Sequence, residues 1–329
     1  MTSIRIPTTD VTDYGSPAGY GGPLRPGGQP RTLDLTPGQP RDLPNTPSPC
    51  AARQRPALTL VRDLWAGNER LHDEGILYLP QAPAEDSANY RVRLQRATLY
   101  NAFANTIKGL VGFVFREPPT LGEDVPPQIA GDPDTGAGGF WENIDNAGTH
   151  GDVFARDLAI DAETAGHAAI LVEYPATPSG QGGPALRRDA EALIRPYWIP
   201  IKKDQLLSWR TVVEDGRTLL TQVVIEETHY VPDGQFGEVK ESQYRVLYRE
   251  RGVVGWELLR ITPQRTVVLI DSGLYPTQDE IPLAEIVTSG RVALFESDPP
   301  LLDLAYLNLA HYRQWSDYDT SIHKTCVPI

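Results

Sequence analysis

An α+β fold is predicted by three observations. Apolar residues recur at helical spacing through much of residues 57–195, a period-two pattern takes over across residues 196–298, and helical spacing returns from residue 299 onward. Ahead of these, residues 1–56 hold 11 Pro and 7 Gly without periodicity. Such a stretch has too little apolar surface to offset chain entropy and reads as a disordered arm. The predicted organisation is therefore an arm (1–56), a helical and α/β region (57–195), a β-rich region (196–298) and a closing amphipathic helix (299–329).

Ala57–Gly75 places Leu58, Val61, Leu64, Trp65 and Leu71 on one side of a helix, and "ILYLP" after it reads as a short extended piece. Ser87 is the expected cap of the next helix. Val92, Leu99, Phe103, Ile107, Leu110 and Val114 form its single apolar face, and Pro118 ends it. Gly109 and Gly112 predict close packing there, or a change to extended chain around "GFVF". A Gly/Pro/Asp-rich loop (120–139) leads to a helix bearing Val153, Phe154, Leu158, Ala162 and Ala165, with Gly166 as its C-cap. "HAAILVEY" is a buried strand; a flexible loop and the short helix "ALRRDAEALI" follow.

From Pro196 onward "PYWIPI", "LLSWRTVVE", "LLTQVVIEETHYV", "SQYRVLYRE", "GWELLRI" and "RTVVLIDS" alternate as strands separated by turn residues, and "IPLAEI" is a last strand. Tyr244, Val246 and Tyr248 share a face opposite Arg245 and Arg249, which predicts a mostly antiparallel sheet covered on one side. In the closing helix Leu301, Leu304, Ala305, Asn308, Tyr312 and Trp315 form one stripe in which Asn308 is the polar member. A buried amide needs a partner, from the same subunit or from the next one.

The net charge is −13, with +2 in residues 1–56 and hence −15 in the remainder. An acidic body is unlike a DNA-gripping surface, yet it suits a wall that lets a phosphate backbone pass. Two cysteines far apart, Cys50 and Cys326, fit a reducing compartment. No apolar run is long enough for a transmembrane helix and the N-terminus has no leader pattern. Phosphate loops of the GxxxxGK[ST] type, GxGxxG, HExxH and CxxC do not occur. No catalytic residue, cofactor or metal is therefore expected.

The His-bearing candidates read structurally. His150, Asp152 and Asp157 lie near a helix start, where Asp152 suits the helix dipole. His167 reads as a satisfied core or edge residue, and His72 and His229 as surface residues. His311 and His323 are more than three turns apart, and His323 with Cys326 offers only two ligands. Arg91, Arg93, Arg96, Lys108 and Arg116 form a basic stretch without an acid. Arg96 falls on the apolar stripe, so it either snorkels or meets an acidic group of a neighbouring subunit, with residues 142–173 as one source. Arg91, Arg93, Arg96, Asn308, Tyr312 and Trp315 are the candidate subunit-interface residues.

The ordered series "GILYLP", "YRVRLQRATLYNAFANTIKGLVGFVFREPP", "GHAAILVEYP", "RPYWIPIKKDQLLSWR", "IPLAEI" and "PPLLDLAYLNLAHYRQWSDYD" resembles a family of tailed-phage portal-like structural proteins, long catalogued as a domain of unknown function. The resemblance covers roughly Leu58 to Ile329. It implies a portal or head–tail connector subunit in a ring, usually of twelve, at one capsid vertex. Double-stranded DNA would pass through without sequence reading, with the terminase large subunit, head–tail adaptor and capsid proteins as partners. The location implied is the virion, assembled in the host cytoplasm. Residues 196–298 would be wing-like, the closing helix would lead towards a stem, and the chain would be truncated before the clip, second stem helix, tunnel loop and crown. The alternatives are another virion structural protein (a minor head or adaptor protein) and, behind it, a metal-dependent hydrolase using His150, Asp152 and Asp157, or His323 and Cys326.

Overall fold

A computed structural model of the chain describes residues 4–7, 30–33, 43–122, 124–131, 138–174, 195–275, 278–288 and 290–325. Most of the expected arm, the helix expected at "ALRRDAEALI" and Cys326 lie outside them. The fold is α+β, with helices, antiparallel sheets and a closing helix. Two compact units interleave along the chain: Met1–Arg53 with Ile170–Ala284, and Gln54–Ala169 with Glu285–Ile329.

In the first unit, β1 (Ile4–Pro7) pairs antiparallel with β2 (Pro30–Leu33). Helix α1 (Pro49–Ala66) begins within residues 1–56. Ser48 Oγ accepts from the Ala51 N–H at 3.1 Å, and Pro49 takes the first turn, where its missing N–H costs nothing. The main sheet is a five-stranded antiparallel meander of β5 (Leu206–Glu214), β6 (Arg217–Asp233), β7 (Gly237–Glu250), β8 (Val253–Ile261) and β9 (Val267–Tyr275). Asp215-Gly216 and Arg251-Gly252, all at positive φ, form the two-residue turns between β5 and β6 and between β7 and β8. Positive φ at both turn residues matches the twist of the flanking strands. β3 (His167–Glu173) lies between β10 (Leu283–Val287) and β4 (Tyr197–Lys202) in a three-stranded sheet, where Val172 N donates to Pro282 O.

The meander buries Leu207, Val224, Tyr244, Val246, Leu259 and Val267 on one face. It is not covered on one side only: Val223, Ile225 and Leu247, on the opposite face, are also fully buried. The alternation that looked polar-out contains Arg245, whose charge is met by Glu227 and Glu173, so this face is buried as well.

The second unit packs Leu64, Leu71, Leu79, Phe103, Ile107, Ala165, Ala305 and Tyr312 into one core. The expected Ala57–Gly75 helix is broken at Gly67 (φ 95°) into the end of α1 and α2 (Asn68–Glu74). "ILYLP" is not extended. Gly75–Leu77 is a 3₁₀ turn in which Gly75 O accepts from Tyr78 N and Leu79 N. The turn carries the Tyr78 side chain inward, where its hydroxyl donates to the buried Asp63 carboxylate at 2.6 Å. Arg70 Nε also donates to Asp63, at 2.8 Å.

The segment expected as one helix from Ser87 is two, α3 (Ser87–Arg96) and α4 (Ala102–Val114). Asp86, not Ser87, caps α3, accepting from Ala88 N and Asn89 N. Asn101 caps α4 through Ala104 N, and Asn68 Oδ1 takes the Leu99 N–H in the link. The break resets the helical phase, so Phe103, Ala104, Ile107 and Val111 face the core while Val92, Leu110 and Val114 are exposed. Gly109 and Gly112 are neither closely packed nor extended: both are helical, and a Cβ on either meets nothing within 4 Å.

The short α5 (Pro127–Ala130) precedes α6 (Gly151–Ala165), which buries Phe154, Leu158, Ala162 and Ala165 and leaves Val153 exposed. Gly166 ends α6 as expected, at φ 96° with its N–H on Ala162 O. Its Cβ position lies 2.5 Å from Asp298 O and 2.7 Å from Ser297 Oγ. Gly166→Ala is expected to lower stability by more than the ~1–2 kcal/mol of left-handed strain alone, read as a fall in the thermal midpoint. The short hairpin β11 (Arg291–Ala293) and β12 (Glu296–Ser297) then leads to the closing helix α7 (Leu302–Thr325).

Candidate functional site

Helix α7 carries three of the six candidate contact residues. Its core stripe is Ala305, Asn308, Leu309, Tyr312 and Ser316, all buried, with Leu301 and Leu304 half-buried at its start. Trp315 does not continue that stripe and is 49% exposed. At 3.6 residues per turn, Ser316 sits about 20° round the helix from Ala305 and Trp315 about 80°. Ser316 therefore takes the core position, and the larger Trp315 faces out.

Asn308 is 3% exposed and its amide is met within its own chain. Its Oδ1 accepts from Phe103 N at 3.0 Å, and its Nδ2 donates to Tyr100 O at 2.8 Å. It thus takes up an orphan N–H in the first turn of α4. Asn308 and the fully buried Tyr312 are core residues here, which corrects their expected place at a subunit contact. Burial of its ring pushes the Tyr312 hydroxyl up to about 12.

Arg93 is also internal, at 8% exposed. It binds Glu85 through two nitrogens (2.8 and 2.7 Å), donates to Pro80 O at 2.8 Å, and approaches Asp317 at 3.7 Å. The Glu85 pair holds its guanidinium above the ordinary arginine value. Arg96 meets an acid, but in its own chain and outside residues 142–173: its Nη2 lies 2.7 Å from Asp319 Oδ2 on α7. Arg93 pairs with Glu85 just ahead of the α3 cap, and Arg96 pairs with Asp319 because α3 lies beside α7, a neighbour that strip-by-strip reading does not reveal. Arg91 is exposed. Lys108 lies over the Trp65 ring at 5.4 Å. Of the six candidates, Arg91 and Trp315 are exposed and Arg96 is half-buried.

A second face of α7 escaped the apolar pattern. Leu307, His311, Trp315, Tyr318 and Ile322 recur every three or four residues and are all exposed. The His311 and Trp315 rings stack at 6.2 Å, and Trp315 meets Tyr318 at 5.7 Å. The signal was present as a second helical spacing, masked by the stripe beside it. The exposed end of α4, with Leu110, Phe113 and Val114, is a further apolar surface.

The hydrolase candidates are placed differently from a metal centre. His150 caps α6, its Nδ1 accepting from Asp152 N at 3.3 Å. Asp152 Oδ1 accepts from Trp141 Nε1 at 3.0 Å, and Asp157 is exposed beside Arg156. His323 is exposed and Cys326 lies outside the described residues. His167 is buried and bonded to Ser297 Oγ at 2.9 Å, whereas His72 is half-buried with Nε2 2.7 Å from Ala97 O. Among the described residues no three His, Cys, Asp or Glu side chains group as metal ligands.

One cluster was not foreseen. In the first unit, Glu173 Oε2 takes hydrogen bonds from Arg245 Nη1 (3.1 Å) and Tyr275 Oη (3.0 Å). Arg245 also binds Glu227 through Nε at 2.5 Å and lies over the Trp256 ring at 5.2 Å. Burial raises the Glu173 carboxyl above the usual range although Arg245 opposes it, and burial raises the Tyr275 hydroxyl well beyond the ordinary phenol value. The residues come from five strands spread over about 100 residues, so no local spacing announces them.

Residues 300–329, which contain the whole of α7, match a family described as a domain of unknown function, DUF4055. No curated protein matches the chain. No helix among the described residues is long and apolar enough to cross a membrane.

Proposed function

We propose that the chain is a subunit of a phage portal or head–tail connector, assembling as a ring at the capsid vertex through which double-stranded DNA is packaged and ejected. The observation that carries this reading is the family match over residues 300–329, which falls on the last member of the ordered portal-like motif series. That helix also presents the exposed ring-bearing face of His311, Trp315 and Tyr318, a surface suited to a neighbouring subunit. The role is structural rather than catalytic. The terminase large subunit, a head–tail adaptor, capsid proteins and the DNA backbone are the proposed partners, and the virion, assembled in the host cytoplasm, is the proposed location. Domain roles follow the same reading, with the meander wing-like and α7 leading towards a stem.

Electron microscopy and mass measurement of the complete gene product test this directly. Closed rings are expected, and a strictly monomeric protein across conditions would overturn the proposal. A protein that forms no ring itself but binds a separately purified portal ring would make it an adaptor. Trp315→Asp is expected to reduce the ring fraction while shifting monomer stability by no more than about 0.5 kcal/mol, as surface substitutions do. Unchanged rings would remove Trp315 from the contact.

A further inference from the structure

Two exposed surfaces of the second unit complement each other. On α4, the helical turn sets Gly109 and Gly112 between Lys108 on one side and Leu110 and Phe113 on the other. Both glycines are exposed, and a Cβ on either would meet nothing within 4 Å. Glycine disfavours a helix interior, and no contact inside the chain offsets that here. The result is a strip of bare backbone beside an apolar edge, where Phe113 is 80% exposed. The charges around it are positive. Lys108 lies over the Trp65 ring yet stays exposed, Arg116 stands just past the helix end, and no acid occurs between Leu99 and Arg116. Glu117 approaches Arg116 at 3.6 Å, but both side chains are in solvent, where such a pair contributes little.

The exposed face of α7 has the opposite character. His311, Trp315 and Tyr318 form a run of rings, with Leu307 and Ile322 at its ends. The carboxylates of Asp303 and Asp317 border it, and the Asp317 side chain is 75% exposed. A flat ring comes closest to a helix where no Cβ stands in its way, and its face attracts Lys and Arg. Within one chain the two surfaces are both exposed, so neither covers the other. Pairing either surface with its own copy would set like charges together, whereas pairing one with the other sets carboxylates against cations.

We propose that the α7 face of one copy docks on the α4 strip of a second copy, with the Trp315 and Tyr318 rings over Gly109 and Gly112 and Asp317 facing the Lys108 and Arg116 cations. Each copy gives one surface and receives at the other, so the contact is head-to-tail and closes into a ring or runs on as a filament. The docking rests on the reading of the chain as a self-assembling subunit and names the surface that the α7 face meets.

The complete gene product with a benzophenone amino acid in place of Tyr318 tests it. Irradiating a mixture of isotopically light and heavy copies is expected to join position 318 of one copy to residues 105–116 of another, read by mass spectrometry. Gly109→Leu/Gly112→Leu separates docking from folding. Leu suits a helix better than Gly, so the thermal midpoint of the dissociated chain is expected to rise, while the filled strip is expected to weaken self-association by about tenfold or more. Cross-links that land elsewhere, or association unchanged in the double variant, would each overturn the docking while rings that still form leave the connector reading standing. Wild-type copies that never associate would overturn both.

Discussion

Asn308→Leu is expected to destabilise the chain by about 2–4 kcal/mol, read as a lower denaturation midpoint with an unchanged slope. The Phe103 N–H loses its acceptor in a fully buried place, which costs about 1–3 kcal/mol. Tyr100 O keeps its bond from Ala102 N, so the loss of the second amide contact adds only about 1 kcal/mol. The damage falls on folding, because both partners of the amide belong to the same chain. A variant that folds with wild-type stability and fails only in assembly would contradict this account.

Arg245→Met is expected to cost about 3–5 kcal/mol at neutral pH, the penalty for leaving a buried carboxylate without its cation. The sign of its pH dependence follows from Glu173. The folded-state carboxyl already lies above its ordinary value, and Arg245 is the main influence holding it down. Without Arg245 it rises further. A raised carboxyl is least favourable above its folded value and is relieved as pH falls through that value towards the ordinary glutamate range. The gap between wild type and variant should therefore narrow on acidification, measured by denaturant melts across pH. A gap that widens on acidification would contradict this assignment of the loss to a carboxylate left without its cation. Glu173→Gln, which keeps an acceptor for Tyr275 and Arg245, is expected to be milder at every pH.

Much of the fold is legible locally. The strands announce themselves by alternation, and Asp215-Gly216 is a turn signal on its face. Gly166 ends α6 where a glycine after an apolar stripe should. What fails locally is whatever a distant residue decides. Asn101 and Asn68 split one expected helix into two, and the demand of Asp63 for Tyr78 bends the "ILYLP" piece inward. The candidate contacts show the same limit. Polarity within a stripe correctly singled out Asn308 as needing a partner, but the partner, 205 residues away, was invisible. Arg93 and Arg96 read as unmatched because Glu85 lies beyond a helix cap and Asp319 at the far end of the chain. Trp315 kept its place on the surface because one further residue, Ser316, fell nearer the centre of the buried arc.

The amide of Asn308 also has a rotational consequence. Bonded on both sides to the start of α4, it clocks α7 about its own axis, as a key fixes a shaft. Everything C-terminal to it inherits that azimuth. One residue inserted between Asn308 and His311 would turn the His311–Trp315–Tyr318 face by about 100° while leaving the anchor intact. An insertion there would also turn the buried Tyr312 and Ser316 away from the core, so length changes at that point should be far less tolerated than substitutions on the exposed face.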